Sequence, residues 1–404
     1  MADDFINSLA QEDVDFVTEV ITSTNPGDNY GKLMIYIGQE KSGSSAPSDS
    51  SFLTDEGIDA LSDVVNSEGI VVCKKLIVSG MSYTTNTQGI LKQWLQDFYN
   101  AGASTEVIIV EALYSGTSLN IAGALNMTHQ LGYFKTLCIC PEGNTPIVDI
   151  PSSTVDLGPA VEFARMCEAD KLLSSPAVFT SAQLDPDKND FVKALNDADV
   201  DAYMTVKYID IPENTPWKDI TIRHPGLVGI GLALSIVNIS GVYAGNSLDM
   251  IQQKVLGPSG KNDVPLTYSQ QTKLREANCA YLKPVGDTSG ASVLYGAETL
   301  KGNVIPALWL VAYCNYMNKV RVATYLSQRN IYKNSRSYSA IITTLTNTVL
   351  AFLPTGRLSG FAVTAPEWEK LPKADRDEII IPNAWVATYN DDLRKVKVYG
   401  TLTM

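Results

Sequence analysis

The sequence predicts a mixed α/β fold of more than one domain. Through the first 225 residues, short β-branched runs bounded by turn residues alternate with runs at helical spacing, the pattern of βαβ units and a largely parallel sheet. The chain has 404 residues, beyond the usual size of one domain, so two or three are expected. An apolar content of 45% supplies material for a sizeable core, while 19% charged is low against about 25% for typical domains. Low charge at this size predicts that much surface is buried, inside the fold or against other subunits.

In chain order, a helical turn is expected over 3–9 and a strand over 13–22, closed by the turn residues Asn25, Pro26 and Gly27. A strand at 32–37 precedes a Ser/Gly-rich loop over 41–51. A strand follows at 71–78, then a helix at 89–99 built on Leu91, Trp94, Leu95 and Phe98. Strand 106–113, helix 119–131, strand 135–140, helix 158–167 and strand 177–180 continue the alternation across a turn-rich break at 141–151. Three helices, at about 268–281, 306–326 and 337–352, dominate the rest. There is no internal repeat and no low-complexity tract.

The last stretch carries the clearest pattern. From Lys395 to the end the chain alternates without a break, with Val396, Val398, Leu402 and Met404 on one face and Lys395, Lys397, Tyr399, Thr401 and Thr403 on the other. That is a strand with one buried face, whereas chain termini ordinarily carry no such pattern. It either folds back into its own sheet or is given to another copy by β-augmentation. The strand at 13–22, with Val14, Phe16 and Val20, is its counterpart at the other end.

Charge and motifs narrow the function classes. A net charge of −13 argues against a nucleic-acid binder, which needs a basic footprint. Residues 1–200 hold 10 basic and 28 acidic side chains, a net of −18; residues 201–404 hold 21 and 16, a net of +5. Copies could therefore meet through faces of opposite sign. From 299 to 366 there are seven basic residues and no Asp or Glu, so Lys319, Arg321, Arg329, Lys333 and Arg336 either find acidic partners elsewhere in the same fold or are candidates to face an acidic neighbour. The start is acidic and lacks the basic and apolar regions of a signal peptide. The uncharged run 226–245 is long enough to span a bilayer, but its five glycines and Ser235, Asn238 and Ser240 favour a buried strand and helix.

Six cysteines are too few for a disulfide scaffold, and no spacing matches a zinc site. Cys138 and Cys140 fall on one face of an expected strand. His129 and His224 have no ligand-spaced partner, so a structural role outweighs catalysis for both. Gly229-Ile-Gly231 lacks the rest of a dinucleotide fingerprint, and Gly257 to Asn262 departs from a phosphate loop at both diagnostic ends. Asp3-Asp4 and Asp391-Asp392 read as tail and turn residues. No catalytic, cofactor or metal site is predicted.

Two segments carry a family resemblance. Gly356-Arg357-Leu358-Ser359-Gly360-Phe361-Ala362-Val363-Thr364-Ala365-Pro366 is followed by Pro372-Lys373-Ala374-Asp375-Arg376, the apolar Ile379-Ile380-Ile381, and the terminal strand. Upstream, paired Gln270 and Gln271 lead to Asn278, and Gly296 precedes Thr299. This order resembles the C-terminal part of contractile-tail sheath proteins of bacteriophages and related injection devices, over roughly the last 140 residues.

The resemblance implies a multi-domain sheath-type fold with a core α/β domain, an outer domain and two arm strands. The expected divisions are an arm at 1–24, an α/β region with the outer domain at 25–225, a C-terminal core domain at 226–383, and a hairpin and arm at 384–404. It implies a structural subunit that polymerises with itself as stacked rings, hexameric in the family, around a tail tube, and the acidic partner of Lys319, Arg321, Arg329, Lys333 and Arg336 would then be a neighbouring subunit or that tube. Baseplate and tail terminator proteins would be its other partners, with no nucleic acid, no membrane insertion and no cofactor. The particle would be a virion tail assembled in the host cytoplasm. The competing expectation is an oligomeric α/β enzyme, hydrolase-like, whose site is too scattered to read.

Overall fold

In the computed structural model, the described residues run in blocks from 33 to 138, 158 to 235, 256 to 378 and 385 to 389, with gaps inside the first three, the longest at 48–61, 79–88 and 181–190. Two compact units emerge: a sheet unit drawn from 33–235 and 256–306, and a helical unit drawn from 307–389. The N-terminal strand, the C-terminal strand and His129 lie outside the described residues.

The sheet unit is built on β1 (Leu33–Gly38), β2 (Ser62–Val65), β3 (Val71–Val78), β4 (Val107–Ala112), β5 (Phe134–Cys138), β6 (Leu173–Thr180) and β7 (Thr205–Ile209). Among the described residues β8 (Leu256–Pro258) and β9 (Asp263–Val264) follow, and the eight-stranded order is β9-β7-β6-β5-β1-β4-β3-β2. Five neighbouring strands, β4-β1-β5-β6-β7, are parallel, and antiparallel strands close both margins. Among the described residues the path begins at β1 inside the parallel set, lays down β2 and β3 at one margin, places β4 between β3 and β1, then crosses to β5, β6 and β7 on the other side.

Each parallel step is made by a helix, as sheets of this kind require. These are α1 (Gly89–Asn100) before β4, α2 (Ile121–Thr128), α3 (Gly158–Ala169) and α4 (Phe191–Asn196). One face of the sheet packs Ile108 and Val110 of β4 against Ala124 and Leu125 of α2 and Phe163 and Cys167 of α3. On the other, Trp94 of α1 stacks on Phe179 of β6 with ring centroids 5.6 Å apart. Covering both faces explains why β4 reads as a nearly continuous apolar run.

The uncharged run at 226 opens α5 (Pro225–Ser235), whose eleven residues are too short to cross a bilayer. Among the described residues no helix is long and apolar enough to do so. Its glycines are contact residues: a Cβ on Gly231 would come within 2.6 Å of the Phe98 carbonyl, and one on Gly229 would enter the Tyr203 ring.

The next helix, α6 (Tyr268–Glu276), is shorter than the periodicity predicts. Asn278 adopts a φ of 53°, a left-handed conformation that ends the helix, and β10 (Tyr281–Pro284) begins almost at once. β10 pairs with β11 (Ala291–Tyr295), which also pairs with β8. The residues of the upstream motif all have local duties here. Gln270 forms a capping box with Thr267, and Gln271 Nε2 donates to the Leu266 carbonyl at 3.0 Å. Asn278 Nδ2 donates to the Leu300 carbonyl, and the Thr299 hydroxyl accepts from the Asn303 amide. Gly296, at a φ of 98°, leaves space for Ala280 and accepts from the buried Tyr203 hydroxyl at 3.1 Å.

The helical unit contains α7 (Ile305–Ser327), α8 (Ser335–Leu350) and α9 (Lys373–Glu378), with an antiparallel ribbon of β12 (Leu358–Val363) and β13 (Trp385–Tyr389). Asn334 caps α8, its Oδ1 accepting from the Ser337 amide at 2.9 Å. Arg321 of α7 donates to Thr348 of α8 at 2.8 Å. Tyr338 fastens the chain after the ribbon strand: its hydroxyl donates to the Pro366 carbonyl at 2.8 Å, and its ring packs on Trp368 at 5.5 Å. The Pro372-to-Arg376 motif is the start of α9, where the Arg376 amide returns to the Pro372 carbonyl.

Candidate functional site

Two places in the molecule concentrate unusual residues. One is a buried polar cluster in the sheet unit, and the other is the ribbon of the helical unit.

The buried cluster gathers Asp97 on α1, Thr136 on β5, Ser175 on β6, and Arg223 and His224 at the entry to α5. Carboxylate, imidazole and hydroxyl in one shell raise the question of a proton relay. Such a relay needs the carboxylate on one ring nitrogen and the hydroxyl proton directed at the other. Here Asp97 Oδ1 pairs with the Arg223 guanidinium at 3.3 Å, and Oδ2 accepts from the backbone amide of His224 at 3.4 Å. The imidazole Nδ1 accepts from the Leu227 amide at 3.1 Å, so the ring proton sits on Nε2, which lies 3.5 Å from Thr136 Oγ1. Thr136 in turn gives its own proton to the Ser175 carbonyl.

His224 is therefore the N-cap of α5, with Pro225 at the first helical position, whose missing N–H costs nothing there. Trp94 and Phe179 stand edge-on to the imidazole at 5.2 and 5.4 Å. Burial pushes its pKa down to about 3, and only the backbone hydrogen bond opposes this. The neutral ring is what the cap requires, since a proton on Nδ1 would abolish the acceptor. The cluster fixes how α5 enters the fold; its geometry is that of a helix start.

On the opposite face of the sheet Lys135 is buried, and its Nζ donates to the Thr128 carbonyl at 3.3 Å. Desolvation pulls its pKa down to about 7, against the opposing influence of Cys167 and Asp170. Desolvation also pushes the Cys167 thiol up to about 12, which keeps it protonated and unreactive. Cys73, Cys279 and Cys314 are likewise free and buried. Among the described residues no group of His, Cys, Asp and Glu could hold a metal ion.

The ribbon has a different character. β12 and β13 pair as Phe361 with Ala387, Ala362 with Val386, and Val363 with Trp385, with an irregularity between Leu358 and Gly360. One face carries the half-buried Phe361, Trp385 and Ala387; the other carries Ala362, Val386 and Thr388 and is exposed. Val363 and Val386 keep 54% and 56% of their surface in solvent. Among the described residues no third strand joins the pair. Two-stranded ribbons are marginal in water, and their outer edges present rows of backbone donors and acceptors. Chemically this is a template for added strands.

The basic candidates are scattered. Lys333 and Arg336 are exposed together at the start of α8, whereas Arg321 is held by Thr348 near the other end of that helix. At 1.5 Å per residue, Arg336 and Thr348 are about 18 Å apart along the axis. Lys319 lies on α7, and Arg329 falls outside the described residues. Val14, Phe16, Val20, Val396, Val398, Leu402 and Met404 fall outside them too. Sequence reading missed the His224 cap, whose signal was His-Pro-Gly directly before an uncharged run.

No family model and no curated protein sequence matches the chain. Solved structures do match in fold. The sheath of an extracellular contractile injection system, the PVC sheath complex in its contracted state, aligns at a TM-score of 0.54 and 10% identity, over 96% of this chain and 98% of its own. The helical sheath of the anti-feeding prophage, also contracted, aligns at 0.53 and 10% identity, over 96% and 99%. A sheath tail protein from Listeria innocua aligns more loosely, at 0.39 and 9% identity over 90% of each chain. This chain shares, along almost its whole length, the fold of contractile-injection-system sheath subunits.

Proposed function

We propose that this protein is a tail sheath subunit, a structural protein that polymerises with itself as stacked helical rings around a tail tube. Shortening of that polymer drives the tube through the target cell envelope. The observation that carries this reading is the end-to-end fold likeness to two contracted sheaths, 96% of this chain against 98% and 99% of theirs. The open ribbon supports it, because a sheath held by exchanged arms needs an acceptor for added strands. In this reading β12 and β13 receive terminal strands from neighbours, with Val14, Phe16 and Val20 supplied by one end and Val396, Val398, Leu402 and Met404 by the other.

A donated strand is a head-to-tail contact, which generates open helical assemblies when its rotation does not close. Its affinity comes chiefly from side-chain burial, about 1.5–3 kcal/mol for each large apolar residue. The tail tube, baseplate and terminator proteins are the other partners, and rings of six are the family expectation. The working place is the tail of a virion or injector. No observation favours the enzyme alternative: the one shell of carboxylate, imidazole and hydroxyl groups described above caps a helix.

The test is a charge placed on the arm. Val398→Asp should abolish sedimentable polymer while circular dichroism of the subunit stays unchanged. Normal tubes from that variant would contradict arm exchange.

A further inference from the structure

The start of α8 is electrostatically inverted. A helix N-terminus carries partial positive charge and favours acidic side chains, yet Lys333 precedes the Asn334 cap and Arg336 sits at the second helical position. Among the described residues neither cation is in an ion pair. Both are exposed, and beside them Tyr332 leaves 70% of its surface in solvent. Asn334 occupies the Ser337 amide, so the Ser335 and Arg336 amides remain at the open end of the first turn. No Asp or Glu occurs between 299 and 366 to balance the seven basic residues there. Two cations, outward amides and an aromatic ring make a surface suited to an acidic segment with apolar residues in it.

The same sequence contains one such segment. Residues 1–31 hold seven carboxylates, Asp3, Asp4, Glu12, Asp13, Asp15, Glu19 and Asp28, and no Lys or Arg; Phe5, Ile6 and Phe16 lie between them. Thirty-one residues reach up to about 100 Å when extended, ample to cross to a neighbouring molecule. The other acidic stretch, 185–201, is a poorer match. It carries Lys188 and Lys193, and its Asp201 is already engaged by the Lys301 amide and by Asn303 Nδ2 at 2.7 Å.

We propose that the basic start of α8, formed by Tyr332, Lys333 and Arg336, receives the acidic N-terminal segment of a second copy of this chain. The inference rests on the self-assembly reading above and adds to it an electrostatic contact that sets which surface the N-terminal arm crosses. Opposite charge governs register and encounter more than final affinity, so the contact should speed assembly and make it salt-sensitive.

The test is a charge swap in the full chain. K333E/R336E should lower the yield of sedimentable polymer at least tenfold in low salt. The same change should leave the melting temperature of the free subunit unchanged or higher, because acidic residues suit a helix start. E12K/D13K/D15K/E19K, which turns the net charge of residues 1–31 from −7 to +1, should lose assembly likewise. The variant carrying all six changes should regain it, since every copy then presents both a reversed arm and a reversed face. Polymer that tolerates K333E/R336E, or a sixfold variant that stays unassembled, overturns the contact while leaving the sheath reading intact. Wild-type protein that never polymerises overturns both.

Discussion

The two units solve the problem of burying apolar surface in opposite ways. The sheet unit closes on itself: its parallel core is covered on both faces, antiparallel strands flank it, and its buried Arg223 is paired with Asp97. The helical unit offers a two-stranded ribbon with valines in solvent and a helix start bearing uncompensated cations. A self-contained body joined to an unsatisfied surface is what an assembling subunit needs. In the proposed sheath, the first part would give a stable shape before assembly, and the second would give assembly its driving force.

If the sheet unit is self-sufficient, damage inside it should appear as lost stability. The largest effect is expected from Asp97→Ala, which strands the buried Arg223 guanidinium and removes the acceptor of the His224 amide. Breaking a buried pair from one side costs about 3–5 kcal/mol. Urea unfolding followed by circular dichroism would read this directly, and a loss under 1 kcal/mol would show that the cluster is not a structural anchor.

Gly229→Ala comes next. Its methyl group would enter the ring of Tyr203, which is fully buried and cannot swing away, so overpacking should cost about 1–3 kcal/mol. A neutral result would mean that α5 and Tyr203 do not pack as closely as described.

His224 predicts a pH effect with a definite sign. Its folded pKa, about 3, lies below its ordinary 6.5 because burial penalises the charged ring. The unfolded chain therefore binds more protons between these values. The contribution is complete above pH 6.5 and is lost as pH falls toward 3. Asp97 and Arg223 face the same site and remain in the variant. His224→Asn, which keeps a capping side chain without a titrating ring, should flatten the fall of melting temperature between pH 6.5 and 4. An unchanged slope would remove His224 from the acid response.

The smallest effect belongs to the helical unit. Tyr338→Phe deletes the hydrogen bond to the Pro366 carbonyl and should cost about 0.5–1.5 kcal/mol. Hydrogen exchange at Trp368–Lys370 would quicken if this bond holds the segment to α8.

Much of the sheet unit was legible in the sequence, because periodicity and burial there are set by nearby residues. The strand expected at 71–78 is β3 (Val71–Val78), and Leu91, Trp94, Leu95 and Phe98 are the buried face of α1. β7 (Thr205–Ile209) escaped notice because it is buried on both faces, and Lys207 interrupts its apolar run. β10 and β11 were hidden by the continuation of helical spacing past Asn278, whose left-handed backbone no periodicity reveals. In the helical unit, glycines at 356 and 360 and Pro366 marked the ribbon strand. That its outer face would stand open could not be read, since exposure depends on what the rest of the chain brings to it. The scatter of the basic residues was illegible for the same reason: Arg321 and Arg336 are close in sequence but meet opposite ends of α8.

The central claim is that this subunit assembles into an open tubular polymer, and electron microscopy of the purified full-length protein tests it most directly. The account predicts hollow cylinders of uniform diameter and variable length. Discrete closed particles, or monomers at every concentration, would contradict it.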